Sequence, residues 1–234
     1  MCGRGSLTKV EKELEERFGS DFYSKDLERY NPIPNFNIAP THILPVILQE
    51  DPLHFQPVKW GLIPSWAKDK KIGSKMINAR KETLGEKSTF KTALIQRRCL
   101  IPMDGFYEWK INSQGIKIPY RIGLKNFELY AMAGIYDRWK DEKGETIISC
   151  SIITLASNDF MLLYHDRMPA IMLKEEERWW LDPAIHKTDE LLELIKAYPD
   201  DGMEAYAVSD RVNSVRNNEP SLILQSDDLT GRSN

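Results

Sequence analysis

From residue 99 the chain reads CLIPMDGFYEWK (99–110), IKIPYRIGL (116–124), FELYAMAGIYDRW (127–139) and TIISCSIITL (146–155). These four runs are rich in aromatic and β-branched residues, which favour β-strands. Short stretches that contain Asn, Gly, Asp and Lys separate the runs, as is typical of turns between neighbouring strands. The sequence therefore predicts a meander of antiparallel strands across the middle of the chain.

Segments with other patterns flank this meander. Thr8 followed by Glu11 fits a capping box, which predicts a helix over residues 8–18. Further helices are predicted at 84–96, 157–164 (with Ser157 as its N-cap), 174–181 and 188–198, and further strands at 44–48, 54–62 and 204–208. Long antiparallel strands interrupted by helices indicate an α+β fold, with a curled, mostly antiparallel, barrel-like sheet and peripheral helices. A chain of 234 residues suits a single domain (1–234), with a core from about 2 to 223 and a short C-terminal tail.

Composition narrows the class of protein. No apolar run approaches the ~20 residues that a membrane-spanning helix needs, and the N-terminus lacks the zones of a signal peptide. The three cysteines, Cys2, Cys99 and Cys150, are an odd number at wide spacings, which argues against a disulfide framework, so we expect a cytoplasmic protein. No cluster has the spacing of a zinc or calcium site and no Gly-rich phosphate loop is present, so no metal or cofactor is expected. The net charge of −3 does not favour a nucleic-acid partner, although a local basic patch is enough to bind phosphates.

The first residues carry an unusual pair of reactive groups. The chain begins Met1-Cys2-Gly3-Arg4, and an initiator methionine is commonly removed when a small residue follows. Its removal leaves Cys2 with a free amine of pKa ~7.7–8.0 and a thiol of pKa ~8.5 on adjacent carbons. The amine can form a Schiff base with an aldehyde, and the thiol can then close a thiazolidine ring. On position alone, an inert terminal cysteine is the simpler interpretation.

Seven segments read as motifs rather than as generic packing. They are MCGR (1–4), NIAP (37–40), WGLIPSW (60–66), INAR (77–80), PMDGFYEW (102–109), YHDRMP (164–169) and VN (212–213). Each is weak alone, but in this order, from residue 1 to about 223, they resemble the SOS response-associated peptidase (SRAP) family, whose members are abasic-site sensors. The resemblance implies an SRAP-like fold and a partner, single-stranded DNA that contains abasic sites.

The same resemblance implies an active site. Cys2 is then the crosslinking nucleophile, and Asn78, Glu108 and His165 complete the site. His165, with an ordinary pKa near ~6.5, suits the proton transfers that open the closed sugar. Glu108 suits proton transfer from the amine or dehydration of the carbinolamine, and Asn78 can hold a sugar hydroxyl or a phosphate. The alternatives are an Arg-paired strand carboxylate for Glu108 and a loop histidine bonded to backbone for His165.

DNA contacts are expected to combine charge with stacking. The candidates are Arg4, Arg80 and Arg167 for phosphates, Trp66 and Trp109 for bases, and Pro40 and Met168 as wedges where the base is missing. For Trp66 and Trp109 the alternative is burial in the core.

These residues predict a monomeric sensor of abasic sites that forms a thiazolidine crosslink through Cys2 after removal of Met1 and so shields the lesion. An imine that escapes trapping would give weak lyase activity, and a self-processing peptidase activity is also expected. Three alternatives remain. A cysteine peptidase of the same family would use Cys2, Glu108 and His165, and a non-catalytic single-strand-binding module would be indifferent to Cys2→Ala. An N-terminal-nucleophile amidohydrolase also begins Met-Cys-Gly, but Ile typically follows there instead of Arg4, and this chain has no Asn-Gly dipeptide.

Overall fold

The strands form two sheets, one of which closes on itself. A computed structural model describes residues 2–86 and 88–226, so Met1, residue 87 and residues 227–234, which are most of the C-terminal tail predicted after about residue 223, lie outside the described residues. The described strands are β1 (Gly5–Leu7), β2 (Asp21–Phe22), β3 (Asn35–Ile38), β4 (Ile43–Leu48), β5 (Asp51–Trp60), β6 (Asn78–Arg80), β7 (Arg98–Met103), β8 (Gly105–Ile111), β9 (Lys117–Leu124), β10 (Tyr130–Lys140), β11 (Thr146–Ala156), β12 (Arg167–Pro169) and β13 (Met203–Ala207). The described helices are α1 (Glu11–Phe18), α2 (Lys81–Leu84), α3 (Ser88–Gln96), α4 (Asp159–Leu162), α5 (Glu177–Leu181) and α6 (Thr188–Leu194).

The first sheet contains a closed barrel of five strands. Strands β11, β10, β7, β4 and β5 pair in that order, and β5 then pairs with β11 in parallel at Ser149–Lys59 and Cys150–Trp60. Gly134 of β10 faces a crowded interior, because a Cβ there would lie 2.8 Å from the Ile101 side chain and 2.9 Å from Cys99 Sγ. The prediction of a curled, mostly antiparallel, barrel-like sheet with peripheral helices is confirmed.

The second sheet is antiparallel and has the order β13-β9-β8-β1-β3. Its short strand β1 lies between two neighbours, pairing Gly5 with Phe106 of β8 and with Ile38 of β3. The residues that follow Cys2 are therefore held inside a sheet rather than left at its edge.

Asp104 explains two differences between the structure and the predictions. The run 99–110 is two strands, because Asp104 interrupts it between barrel strand β7 and second-sheet strand β8. The fully buried Asp104 carboxylate accepts hydrogen bonds from Ser6 Oγ (2.7 Å), Thr8 N (2.6 Å) and Thr8 Oγ1 (2.5 Å), and it is paired with Arg121 Nη2 at 2.9 Å. Thr8 therefore does not cap helix α1. The helix starts at Glu11 instead, after Val10, whose N–H donates to Glu13 Oε2 over 3.0 Å.

Other helix boundaries also differ from the predictions, since α5 begins at Glu177 rather than at 174 and α6 ends at Leu194 rather than at 198. Residues 84–96 were predicted as one helix, but helix α2 ends at Leu84 and α3 begins at Ser88. The N-cap of α4 is Asn158, whose Oδ1 accepts from Met161 N over 2.8 Å, whereas Ser157 Oγ donates to the carbonyl of His165. Ser157 thus fixes the loop that carries His165 rather than starting the helix before it. None of the helices in residues 2–86 and 88–226 is both long and apolar enough to cross a membrane.

Candidate functional site

Three segments from distant parts of the sequence meet at Cys2. Pairing between β1 and β8 continues past Gly5, since Tyr107 N donates to Arg4 O over 3.0 Å, and this brings the first residues toward Glu108. Asn78 is the first residue of β6, and its Nδ2 donates to the carbonyl of Cys2 over 2.8 Å. The INAR and PMDGFYEW motifs thus converge on the N-terminal segment.

Cys2 itself is buried, with 1% of its surface exposed. Burial raises the pKa of its thiol, and the nearby charge of Glu108 raises it further. The thiol is therefore protonated at neutral pH and is a poor thiolate nucleophile in this state.

Glu108 is a buried carboxyl group on β8, opposite Tyr120 of β9. Burial raises the pKa of Glu108 to about 7, and the charge of Asp166 adds to the effect. Near neutral pH this group is divided between its acid and carboxylate forms, which suits a residue that both accepts and returns a proton. Because the charge of Asp166 acts on the pKa of Glu108, the loop that contains His165 and Asp166 lies close to Glu108.

His165 follows helix α4, and hydrogen bonds define the state of its ring. Its Nδ1 accepts from Arg167 N over 2.9 Å and also lies 2.8 Å from Asp166 Oδ1. A ring nitrogen cannot accept from an N–H group and donate to a carboxylate at once, and burial lowers the pKa of His165, so the neutral ring is favoured. We assign the Nδ1 lone pair to Arg167 N–H, which leaves the proton on Nε2. His165 therefore lies in a loop and is bonded to backbone through Nδ1, its Nε2–H group is a hydrogen-bond donor, and its predicted catalytic role stays a prediction.

Asn78 offers an acceptor next to Cys2. Its Oδ1 is buried and has no hydrogen-bond partner within residues 2–86 and 88–226. Because a buried amide oxygen without a partner is costly, a ligand that donates a hydrogen bond here is favoured.

A groove extends from Asn78 over the surface. Its volume is about 460 Å³, and the residues that line it include Trp66, Lys75, Met76, Asn78, Arg80 and Phe90. Trp66 is 64% exposed, so it is not a core residue, and Arg80 is also exposed. We call this surface the Trp66 groove; it combines an aromatic face with cationic side chains.

Arg4 and Trp109 hold the N-terminal segment to the C-terminal part of the fold. Arg4 Nη1 donates to Asn37 Oδ1 (2.8 Å) and to Val212 O (2.6 Å), and its guanidinium lies 5.8 Å from the Trp109 ring centre. Trp109 Nε1 donates to Asn213 Oδ1 over 2.7 Å. These contacts join the MCGR, NIAP, PMDGFYEW and VN motifs, and they give Arg4 and Trp109 a structural role beside the predicted DNA contacts.

Arg167 and Met168 are placed differently from what the sequence suggested. Arg167 Nη1 and Nη2 bind the two carboxylate oxygens of Glu82 at 2.7 and 2.9 Å, and Nη2 also donates to Thr154 O. Met168 is fully buried in the main core, so its side chain is not presented as a wedge in this conformation. Pro40 lies two residues after the end of β3, where it is half-buried and keeps part of its surface exposed.

Sequence reasoning did not find Glu82 or Lys75. The ion pair between Glu82 and Arg167 joins residues 85 positions apart, and no local pattern indicates it. Lys75 ends a short 3₁₀ turn, Lys70–Lys75, in a lysine-rich stretch where nothing marks one lysine above another. Within the described part of the chain, no group of three His, Cys, Asp or Glu side chains has a geometry that could hold a metal ion.

Comparison with known proteins gives a consistent result. Residues 1–215 match the family model described as SOS response associated peptidase (SRAP). Abasic site processing protein YoqW of Bacillus subtilis is 45% identical over 224 residues, which cover 95% of this chain and 99% of YoqW. Abasic site processing protein HMCES of Rattus norvegicus is 35% identical over 277 residues, covering 97% of this chain and 76% of HMCES. A crystal structure of a protein from Bacteroides thetaiotaomicron superposes with a TM-score of 0.88 at 29% identity, covering 96% of this chain and all of that one.

Proposed function

This chain belongs to the SOS response-associated peptidase family, and from that premise we propose that it senses abasic sites in single-stranded DNA and bonds to them covalently through Cys2. The proposal rests above all on the meeting of Cys2 with Asn78 and Glu108 beside the His165 loop. Relatives at 35–45% identity carry the name abasic site processing protein.

The first step opens the closed sugar of the abasic residue. The Nε2–H group of neutral His165 donates a hydrogen bond to the ring oxygen, while the carboxylate form of Glu108 takes the proton of the C1′ hydroxyl. The C1′–O4′ bond breaks, an aldehyde forms at C1′, and Glu108 passes the proton on to O4′, which becomes a hydroxyl. Asn78 Oδ1, which has no partner within the described residues, accepts a hydrogen bond from the freed sugar hydroxyl.

The second step joins protein and DNA. After Met1 has been removed, the Cys2 amine attacks C1′ and gives a carbinolamine. One amine proton moves to the carbonyl oxygen as the carbinolamine forms. Glu108 then takes the remaining proton of the amine nitrogen and a proton passes from Glu108 to the departing hydroxyl, so that water leaves and a neutral imine remains. The Cys2 thiol adds to C1′, its proton moves to the imine nitrogen, and a thiazolidine ring closes. The raised pKa of the thiol suits this order, because the amine reacts first and the thiol arrives with the proton that the last step needs.

The same pKa speaks against the cysteine peptidase. Cleavage of other proteins needs a histidine that generates a thiolate in every turnover, whereas burial keeps the Cys2 thiol protonated; removal of residue 1 takes place only once per molecule. Weak lyase activity from an untrapped imine and self-processing at residue 1 are part of our proposal. The monomeric state, the cytoplasmic location and the preference for single strands stay predictions.

Intact mass tests the proposal. The Met1-processed protein is incubated with a single-stranded oligonucleotide that contains one abasic site. We expect a heat-stable adduct with the mass of protein plus oligonucleotide minus one water, and no adduct with Cys2→Ala or with an oligonucleotide that keeps all its bases. Absence of the adduct, with the free N-terminal cysteine verified, would contradict the proposal and favour simple binding or a peptidase.

Cys2→Ser separates the imine from the ring. The variant keeps the amine but lacks the thiol, so it should form an adduct only when borohydride reduces the imine. A heat-stable Cys2→Ser adduct without reductant would show that ring closure is not the trapping step.

A further inference from the structure

Three aromatic side chains pack together next to the proposed catalytic residues. The Tyr120 and Tyr164 ring centres are 5.0 Å apart, and those of Phe160 and Tyr164 are 5.6 Å apart. Lys110 Nζ lies 5.4 Å from the centre of the Tyr164 ring. We call Tyr120, Phe160 and Tyr164 the aromatic cluster; all three are half-buried and keep part of their surface in contact with solvent.

The position of the aromatic cluster ties it to the site. Tyr120 is the cross-strand partner of Glu108, so the two side chains share one face of the second sheet. Tyr164 directly precedes His165. The cluster therefore adjoins both residues to which the mechanism assigns proton transfer, although the mechanism itself does not use it.

Exposed apolar side chains and a lysine adjoin the aromatic cluster along the chain, together with the exposed Asp166 and with Asp200, whose Oδ1 accepts from Phe160 N over 3.1 Å. Leu162 and Leu163 are each 57% exposed, and Ile111 is 60% exposed. Exposed apolar side chains that gather at one place on a protein mark a binding surface more often than singly scattered ones do. Lys110, next to Ile111, is exposed and forms no ion pair with another residue in the described part of the chain.

We propose that the aromatic cluster stacks a base of single-stranded DNA next to the abasic residue, with Lys110 bound to a phosphate of the same strand. Three observations select single-stranded DNA as the occupant: the cluster is continuous with the site that takes the lesion, its lysine complements a phosphate, and aromatic faces stack on bases of any sequence. This inference rests on the proposed function and deepens it.

The geometry then gives the DNA two contact surfaces that meet at Cys2. The Trp66 groove reaches Cys2 through Asn78, from β6 and helices α2 and α3. The aromatic cluster reaches the site through Glu108 and His165, from β8, β9 and α4. A strand whose abasic sugar lies at Cys2 has one flanking nucleotide on the Trp66 groove and the other on the aromatic cluster.

Two fluorescent oligonucleotides test this arrangement. Each contains a tetrahydrofuran residue, an abasic analogue that has no C1′ hydroxyl and therefore cannot form an imine. One carries 2-aminopurine immediately 5′ of the analogue and the other immediately 3′, and stacking quenches this base. We expect Tyr164→Leu to abolish quenching of one probe and to weaken Kd about tenfold, which corresponds to a stacking contact of about 1.4 kcal/mol. Trp66→Leu should affect the other probe.

Three further variants control for folding and for charge. Tyr164→Phe keeps the ring and should bind like the wild type, and Trp179→Leu removes an exposed tryptophan that lies on neither surface. Lys110→Gln changes an exposed residue, so the variant should fold normally. The negative slope of log K against log salt should become shallower by about 0.7, because one phosphate contact is lost. This variant decides the matter if Tyr164→Leu does not fold.

The outcomes separate the inference from the proposed function. Wild-type protein that crosslinks a true abasic site, together with unchanged quenching in Tyr164→Leu and an unchanged salt slope in Lys110→Gln, would overturn the aromatic cluster as a DNA contact and leave the crosslink standing. Equal loss of binding in Tyr164→Leu and Tyr164→Phe would also overturn it, because stacking does not need the hydroxyl. If Tyr164→Leu and Lys110→Gln weaken the binding of a duplex end or of a protein but leave the binding of single strands unchanged, the surface serves another partner and the inference is wrong.

Discussion

At the scale of single residues, burial decides the chemistry of Cys2 and Glu108. Both are acids that lie in the protein interior, and burial raises the pKa of each, which for Glu108 reaches about 7. The sequence indicated both residues through their motifs, but it could not indicate these pKa shifts. They depend on strands β1 and β8, which pair residues about 100 positions apart.

We expect Glu108→Gln to change how stability depends on pH. The raised pKa means that folded wild-type protein keeps a proton that the unfolded chain releases above pH ~4.5. Unfolding therefore becomes easier as the pH rises from there to about 7, by about 3 kcal/mol in total. Urea unfolding at pH 5 and pH 8 should show this loss in the wild type and not in Glu108→Gln.

Exposed Glu86 provides the control, because Glu86→Gln also removes one negative charge. Equal pH dependence in the wild type and in Glu108→Gln would mean that Glu108 does not carry the shifted proton. Glu108→Gln should also form the crosslink at least tenfold more slowly than the wild type, since general acid–base steps contribute about 10²–10⁴-fold to a rate.

At the scale of elements, short segments do more to build the site than the long strands do. Strands β7 to β11 were predictable as strands, because their runs of β-branched and aromatic residues are local signals. The predicted single meander was wrong, because β8 and β9 belong to the second sheet and β7, β10 and β11 to the barrel. Strands β6 and β12 have three residues each and were not predicted as strands, although both pair with β11 and together they position Asn78 and Arg167. Such short strands are specified by their partners rather than by their own sequence, and for the same reason burial of Met168 was not foreseen.

Helix α2 and strand β12 are joined by the pair of Glu82 and Arg167, and we expect that pair to restrain DNA binding. Glu82 holds both Nη atoms of Arg167, so the guanidinium is engaged by a carboxylate rather than available to a phosphate. Glu82→Gln should bind a tetrahydrofuran oligonucleotide several-fold more tightly, and the slope of log K against log salt should steepen by about 0.7. Fluorescence anisotropy at several salt concentrations measures both.

The control is again Glu86→Gln, which lies just beyond the end of α2. If the two variants tighten binding equally, the effect comes from net charge and not from release of Arg167.

At the scale of the whole molecule, one buried cation links the helices to the barrel. Arg98 of β7 is fully buried, and its guanidinium donates to backbone carbonyls at the ends of α3 and α5 and in the loop after α5. These acceptors are Leu94, Ile95, Trp180, Asp182 and Ile185. The α+β class and the barrel-like sheet followed from the strand pattern, whereas this link did not, because an arginine in a sequence is ordinarily expected at the surface. The prediction that residues 1–234 form one domain stays a prediction.

Arg98→Lys should therefore destabilise the fold by about 3 kcal/mol or more. A lysine brings three donors on one atom, so several buried carbonyls lose their partners, at about 1–3 kcal/mol each. The midpoint of urea unfolding measures the loss, with exposed Arg178→Lys as the matched control. A midpoint in Arg98→Lys that is no lower than in the control would show that Arg98 contributes little to holding these helices.

The burial of β1 also has a consequence for the order of events on the ribosome. Cys2 is made at the very start of synthesis, but Ser6 must wait for Asp104, 98 positions later, before β1 can be fixed. At about 5–20 residues per second, the N-terminus stays accessible for roughly 5–20 s. Because Cys2 is 1% exposed once folded, an aminopeptidase acts on the nascent chain most readily within that interval, whereas the proposed self-processing needs the folded site. Synthesis speed, and not only enzyme activity, then sets the fraction of molecules that start life with a usable terminal amine.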